Sequence, residues 1–234
     1  EIGSFSRKAS AGLSPFSPFW AKAKPMDFQE RMRALLTASL VLLSSFTALA
    51  DPLSIPIDVM SVPTLLSKKV IEEDKAVAAV GIVNERYFAA CGIRLTINRF
   101  EPPTKPIDLV FYETYGINRL LRLSDQLFDL RPGALTLILV PGPFRTSKKR
   151  VHGQASREGN YSHLGLQDKF AYIFKPDPKD VDSMAMTMAH EVSHLLGLRH
   201  STEKDNLMSD KHPSGSNLTP KQCEVLRREG AKIQ

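Results

Sequence analysis

Tryptophan is almost missing from this chain of 234 residues, with Trp20 alone, and cysteine is scarce, with only Cys91 and Cys223. Two cysteines allow one bridge at most, so stability must come mainly from a core, and a 42% hydrophobic content can supply one. An excess of one charge sign is missing as well. Residues 1–50 hold six Lys/Arg against three Asp/Glu, which leaves 25 against 22 and a net charge of only +3 for the remainder of a chain that carries +6 overall. That balance gives no case for a nucleic-acid partner. Beyond residue 50 no apolar run is long enough to span a membrane, and there is no internal repeat or low-complexity segment.

One apolar run does occur early. From Met26 the chain reads MDFQERMRALLTASLVLLSSFTALAD, with Arg31 and Arg33 at its start, an apolar middle, and Ala48-Leu49-Ala50 before Asp51. A basic start, an apolar stretch of roughly a dozen residues and a small-x-small end have the layout of a secretory signal peptide, so cleavage after Ala50 is expected. The alternative is an uncleaved membrane anchor; Ser44, Ser45 and Thr47 interrupt the run, which falls short of the ~20 residues a span needs. The expected organisation is an upstream, non-functional extension over 1–25, a signal peptide over 26–50, and one domain over 51–234. Without Trp20 the mature domain would have no tryptophan, and it would reach the periplasm or the exterior. An even pair of cysteines in an exported chain predicts a Cys91–Cys223 disulfide, with two unrelated buried thiols as the other reading.

Within 51–234 the apolar spacing alternates between two periods. SIPIDVM (54–60) and CGIRLTINRF (91–100) alternate like strands, and ALTLILVP (134–141) is nearly all apolar, as in a strand covered on both faces. KFAYIF (169–174) is a further strand. Residues 67–90 carry apolar side chains at spacings of three and four and predict a long amphipathic helix, and 117–130 predict a shorter one. Between Gly142 and Gln167 the pattern is lost in a surface excursion, with one short strand near 151–156 and a solvated basic run, Lys148-Lys149-Arg150. NLTPKQCEVLRREG predicts a final helix with Thr219 as N-cap, Pro220 at N1 and Gln222 at N3, a capping box.

The stretch AHEVSHLLGLRH (189–200) carries the chemistry. Asp180 or Asp182 can cap a helix running through it, on which His190 and His194 lie one turn apart and present both imidazoles from one face. Glu191, rotated by about 100° from His190, can take a proton from a water polarised by a metal ion without being a ligand itself. Gly197 can end the helix in a positive-φ turn, and His200 can then close on the same ion. Three nitrogens and one open position are what a catalytic zinc uses. Five such fixed positions coincide by chance on the order of once in 10^5 chains of this length. His152, His163 and His212 match no zinc spacing and read as surface or hydrogen-bonded histidines.

HEVSHLLGLRH resembles the H-E-x-x-H-x-x-G-x-x-H motif of the metzincin metallopeptidases, and Ser201 with the short interval to NLMSD is similar to their matrixin-like branch. The resemblance implies an α+β, zincin-like single domain. A mixed twisted sheet would pack on a long N-terminal helix and the active-site helix, and a C-terminal helix would close the chain. It implies one catalytic zinc on His190, His194 and His200, Glu191 as catalytic base, and Met208 in a methionine turn beneath the metal. Whether calcium supports the loops is left open. Gly153, Gln154 and Ala155 fall where such proteins pair a sheet edge with extended substrate, although a plain loop fits the residues as well. No tyrosine follows Met208, so a tyrosine ligand is not expected, and no cysteine precedes SIPIDVM for a cysteine-switch latency. The implied function is a secreted or periplasmic zinc endopeptidase acting on peptides or proteins as a monomer, with no stable membrane association after signal cleavage. Rivals are an inactive zinc-binding homologue that binds peptides, a peptidase trimming chain ends, and a membrane-tethered peptidase.

Overall fold

The computed structural model describes residue 29 and residues 51–65, 70–101, 108, 117–128, 130–142, 144–145, 150–156, 169–175, 180–209 and 215–233. Apart from residue 29, all of these belong to the unit Leu49–Gln234. The expected extension and signal peptide, the run Lys148-Lys149, His163 and His212 lie outside the described residues.

Five strands form one sheet in the order β2-β1-β3-β7-β6. They are β1 (Leu53–Ser61), β2 (Ile93–Glu101), β3 (Leu135–Pro141), β6 (Gly153–Ala155) and β7 (Phe170–Lys175); a two-stranded hairpin of β4 (Phe144–Arg145) and β5 (Arg150–Val151) stands apart. The β1/β2, β1/β3 and β3/β7 pairs are parallel, and only the edge strand β6 runs antiparallel, to β7. A mixed sheet of this kind needs helical crossovers between its parallel strands. The helix α1 (Glu73–Ile82) fills that place between β1 and β2. The others are α2 (Ile117–Leu127), α3 (Val181–Leu195) and α4 (Pro220–Gly230).

Alternation along the central strands divides the core in two. Leu135, Leu137 and Leu139 of β3 and Ala171 and Ile173 of β7 face the cluster that contains Val80 and Val83, Met184, Met188 and Val192 of α3, and Leu226 of α4. Ile138 and Val140 of β3 and Phe170, Tyr172 and Phe174 of β7 face the other cluster, with Leu120 and Leu121 of α2. All seven residues of β3 are buried, which explains its unbroken apolar run. Asp58 of the neighbouring strand β1 is also buried, and tolerates it because Asn98 of β2 donates to it at 3.0 Å and Arg99 of β2 pairs with it at 3.1 Å.

The long helix starts later than its spacing predicts. Val70, Ile71 and Glu72 are not helical, and the Ile71 N–H donates to Ser61 Oγ at 2.6 Å, a tertiary bond that competes with a first helical turn. After Ile82 the helix widens into a π-helical segment, Val83–Phe88, and tightens into a 3-10 turn, Ala89–Cys91. Thr219 and Gln222 form the expected capping box at the start of α4. Cys91 and Cys223 are disulfide-bonded, with their Cα atoms 4.8 Å apart, and so join the end of the α1 segment to the first turn of α4.

Candidate metal centre

Helix α3 is fixed at both ends by its own sequence. Asp180 Oδ1 accepts from the Ser183 N–H at 3.0 Å, while Asp182 pairs instead with Arg86 at 2.9 Å. At the other end the Gly197 N–H donates to His194 O and the Leu198 N–H to Ser193 O, both at 2.9 Å, with Gly197 at φ 90°. This is the Schellman closure, whose left-handed residue favours glycine. The chain leaves the helix sharply, and His200 returns to the face that carries His190 and His194. Met184, Met188, Val192 and Leu195 occupy the buried side of α3 as core residues.

The three rings converge. His194 Nε2 lies 3.1 Å from His190 Nε2 and 3.2 Å from His200 Nε2. Two ligand nitrogens about 2.05 Å from a tetrahedral zinc are separated by about 3.3 Å, so the observed spacing fits that ion. The hydrogen bonding points the same way. His190 Nδ1 donates to Leu207 O and His194 Nδ1 to Leu198 O, both at 2.8 Å, which leaves an unprotonated Nε2 on each ring. Bare lone pairs at 3.1 Å repel unless a cation lies between them. Burial lowers the His194 pKa to about 4, with a contribution from His200 against the Leu198 hydrogen bond, so this ring is held in its neutral, ligating form. These are the histidines among the described residues that group as a possible metal site.

Glu191 is buried on the neighbouring face of α3 and packs against the edge strand β6. A Cβ at position 153 would lie 2.6 Å from Glu191 Cγ and 2.7 Å from Cδ, so only glycine leaves that carboxylate its place. Gly153, Gln154 and Ala155 are a strand rather than a loop, in register with Ile173, Tyr172 and Ala171. His152 O accepts from the Phe174 N–H and the Ser156 N–H donates to Phe170 O, each at 2.8 Å. Strand alternation therefore turns the main-chain groups of Gly153 and Ala155 away from β7, to the outer edge of the sheet, where Gly153 is half-buried and Ala155 is buried. His152 itself is exposed beside that edge.

Met208 is fully buried in the core cluster shared with α3. Its turn touches both ends of the ligand set, since Leu207 O accepts from His190 and Met208 O accepts from the Ser201 N–H, next to His200, at 2.8 Å. The acceptors at Leu198 and Leu207 are main-chain atoms, which no residue type announces in a sequence. The Asn206–Gln222 contact behind the turn was equally silent, because Gln222 is already accounted for by its cap.

The family model for matrixin matches residues 143–223. No curated protein matches the chain. Among solved structures, metalloproteinase-II from Bacteroides fragilis is similar with a TM-score of 0.51 and 16% identity, covering 76% of this chain and 53% of that one. The chain thus spans about half the length of that relative. A zinc-dependent peptidase from Methanocorpusculum labreanum is similar with a TM-score of 0.40 and 17% identity, covering 73% of this chain and 99% of that one. The first of these shows the α+β fold. Over residues 143–223, the segment from β4 to the first turn of α4, the chain is similar to the matrixin family, and within that segment His190, His194 and His200 form a site that fits one catalytic zinc ion.

Proposed function

We propose that the protein is a zinc-dependent endopeptidase that works outside the cytoplasm. The observation that carries this reading is the convergence of three histidine nitrogens on one side of α3, with Glu191 of the same helix buried against the outer strand β6. His190, His194 and His200 would hold the ion. When bound, it supplies a Lewis acid for the scissile carbonyl and makes water more acidic, to a pKa near ~7. Glu191 takes the proton of the attacking water and passes it to the leaving amine. Its burial against Gly153 keeps it beside the reacting groups. Gly153, half-buried on the outer strand β6, would offer its main-chain groups to an extended peptide, and such backbone pairing accepts an internal stretch of substrate without needing a chain end.

The test compares the full chain with its Glu191→Ala variant for zinc content and for cleavage of a broad peptide library. One equivalent of zinc in both, with turnover reduced by about 10^2 to 10^4 in the variant, is the expected outcome. Zinc in both and cleavage in neither would leave a peptide-binding homologue; products shortened by single terminal residues would replace endopeptidase with exopeptidase. For the location, an intact mass that begins at Asp51 in exported material supports signal cleavage after Ala50. A mass retaining the apolar run would favour the tethered form.

A further inference from the structure

The methionine turn is held from behind by one pair of amides. Asn206, buried, accepts the Met208 N–H on Oδ1 at 2.9 Å and donates from Nδ2 to Gln222 Oε1 at 2.9 Å. Gln222 Nε2 donates back to Asn206 Oδ1 at 3.2 Å. Main-chain donors fix which way both amides point. The Met208 N–H requires an oxygen at Asn206, and the Thr219 N–H, 2.8 Å from Gln222 Oε1, requires an oxygen at Gln222. The two side chains therefore match donor to acceptor in both directions. Leu207 lies between Asn206 and Met208, and its carbonyl accepts from His190 Nδ1 at 2.8 Å. The Leu207 N–H is tied to Asn217 O at 2.8 Å, so the peptide that presents this carbonyl is braced on each side.

We propose that Gln222 is a positioning residue of the metal centre: through its paired amide contact with Asn206, it holds the Leu207 carbonyl that sets the tautomer and direction of His190. The proposal rests on the zinc reading of the three histidines and adds a residue from the final helix to the support of that site. Partners behind a ligating histidine change metal affinity by about 10- to 100-fold when lost. Gln222 acts one step further back, so about tenfold is expected.

A capping role and a positioning role can be separated. Gln222→Glu keeps an oxygen for the Thr219 N–H, and glutamate closes a capping box as well as glutamine does. It cannot donate to Asn206 Oδ1 and sets two acceptors against each other. Asn206→Asp breaks the pair from the opposite side while keeping an acceptor for the Met208 N–H. The experiment measures, in the full chain, zinc affinity by chelator competition, the visible spectrum of the cobalt-substituted protein, and the thermal midpoint. Zinc binding about tenfold weaker and a shifted cobalt spectrum in both variants, with midpoints of the metal-free proteins near that of wild type, supports the proposal. Unchanged affinity and spectrum in either well-folded variant overturns it. Weaker binding that only tracks a lowered midpoint also overturns it, by reducing Gln222 to a helix cap. A wild-type chain that binds no zinc would instead sink the metal-centre reading itself, and the positioning role with it.

Discussion

Glu191 and Gly153 set the tightest constraint at the scale of single residues. The carboxylate occupies the volume that a side chain at 153 would need, with a built Cβ 2.6 Å from Glu191 Cγ. Gly153→Val therefore displaces the base while leaving His190, His194 and His200 untouched. A misplacement on the order of 1 Å at a reacting group can cost about a hundredfold in rate. We expect the variant to bind one zinc as the wild type does and to lose about that much in kcat. Wild-type turnover in Gly153→Val would show that Glu191 has room to move and that its observed position is not required. The other residue-level features were visible in the sequence to different degrees. The histidine spacing, the Gly197 turn and the Thr219 cap are periodic or local, so residue type alone places them. The acceptors for His190 and His194 are carbonyls of two leucines, and a carbonyl belongs to every residue.

At the scale of elements, legibility followed burial. Strand β3 could be read because both faces are covered and every position but Thr136 is apolar. The α1 segment was misread at its start because apolar spacing does not say which face is buried. Val70 and Val77 are 40% and 51% exposed, while Ala76, Ala79 and Val80 make the contact. Strand β6, three residues long, is too short for alternation to separate it from a loop. The opposite edge of the sheet, β2, carries a different device. Asn84, in the π-helical segment, donates to Leu95 O at 3.0 Å and accepts from the Leu95 N–H at 2.7 Å. Its amide stands in for a neighbouring strand and closes an edge that would otherwise offer pairing groups. Asn84→Ala should free those groups and raise self-association, seen as a concentration-dependent rise in mass by light scattering. A variant with the wild-type mass at every concentration would mean that the edge is protected by something other than Asn84.

For the molecule as a whole, the decisive link is the one between the two cysteines, 132 residues apart in sequence. Helix α4 is short, and its buried contributions to the core are Leu226 and, just beyond its end, Ile233. The bridge ties its first turn to the end of the α1 segment. One turn on, Arg227 Nη1 donates to Cys91 O at 3.3 Å and to Gly92 O at 3.1 Å. Since Gln222 stands beside Cys223, the same attachment sets the helix turn from which the amide pair reaches Asn206. A cross-link over so long a span restricts the unfolded chain strongly, and losing one costs roughly 2–5 kcal/mol. For a domain of this size that corresponds to a midpoint lower by on the order of 10 °C. Reductant should produce that drop in the metal-free full chain. The Cys91→Ser, Cys223→Ser double variant should reproduce it and respond no further to reductant. A wild-type midpoint indifferent to reductant would mean that α4 is held by its packing and by Arg227 alone. The bond would then add nothing to stability, and its support for an oxidising location would be lost.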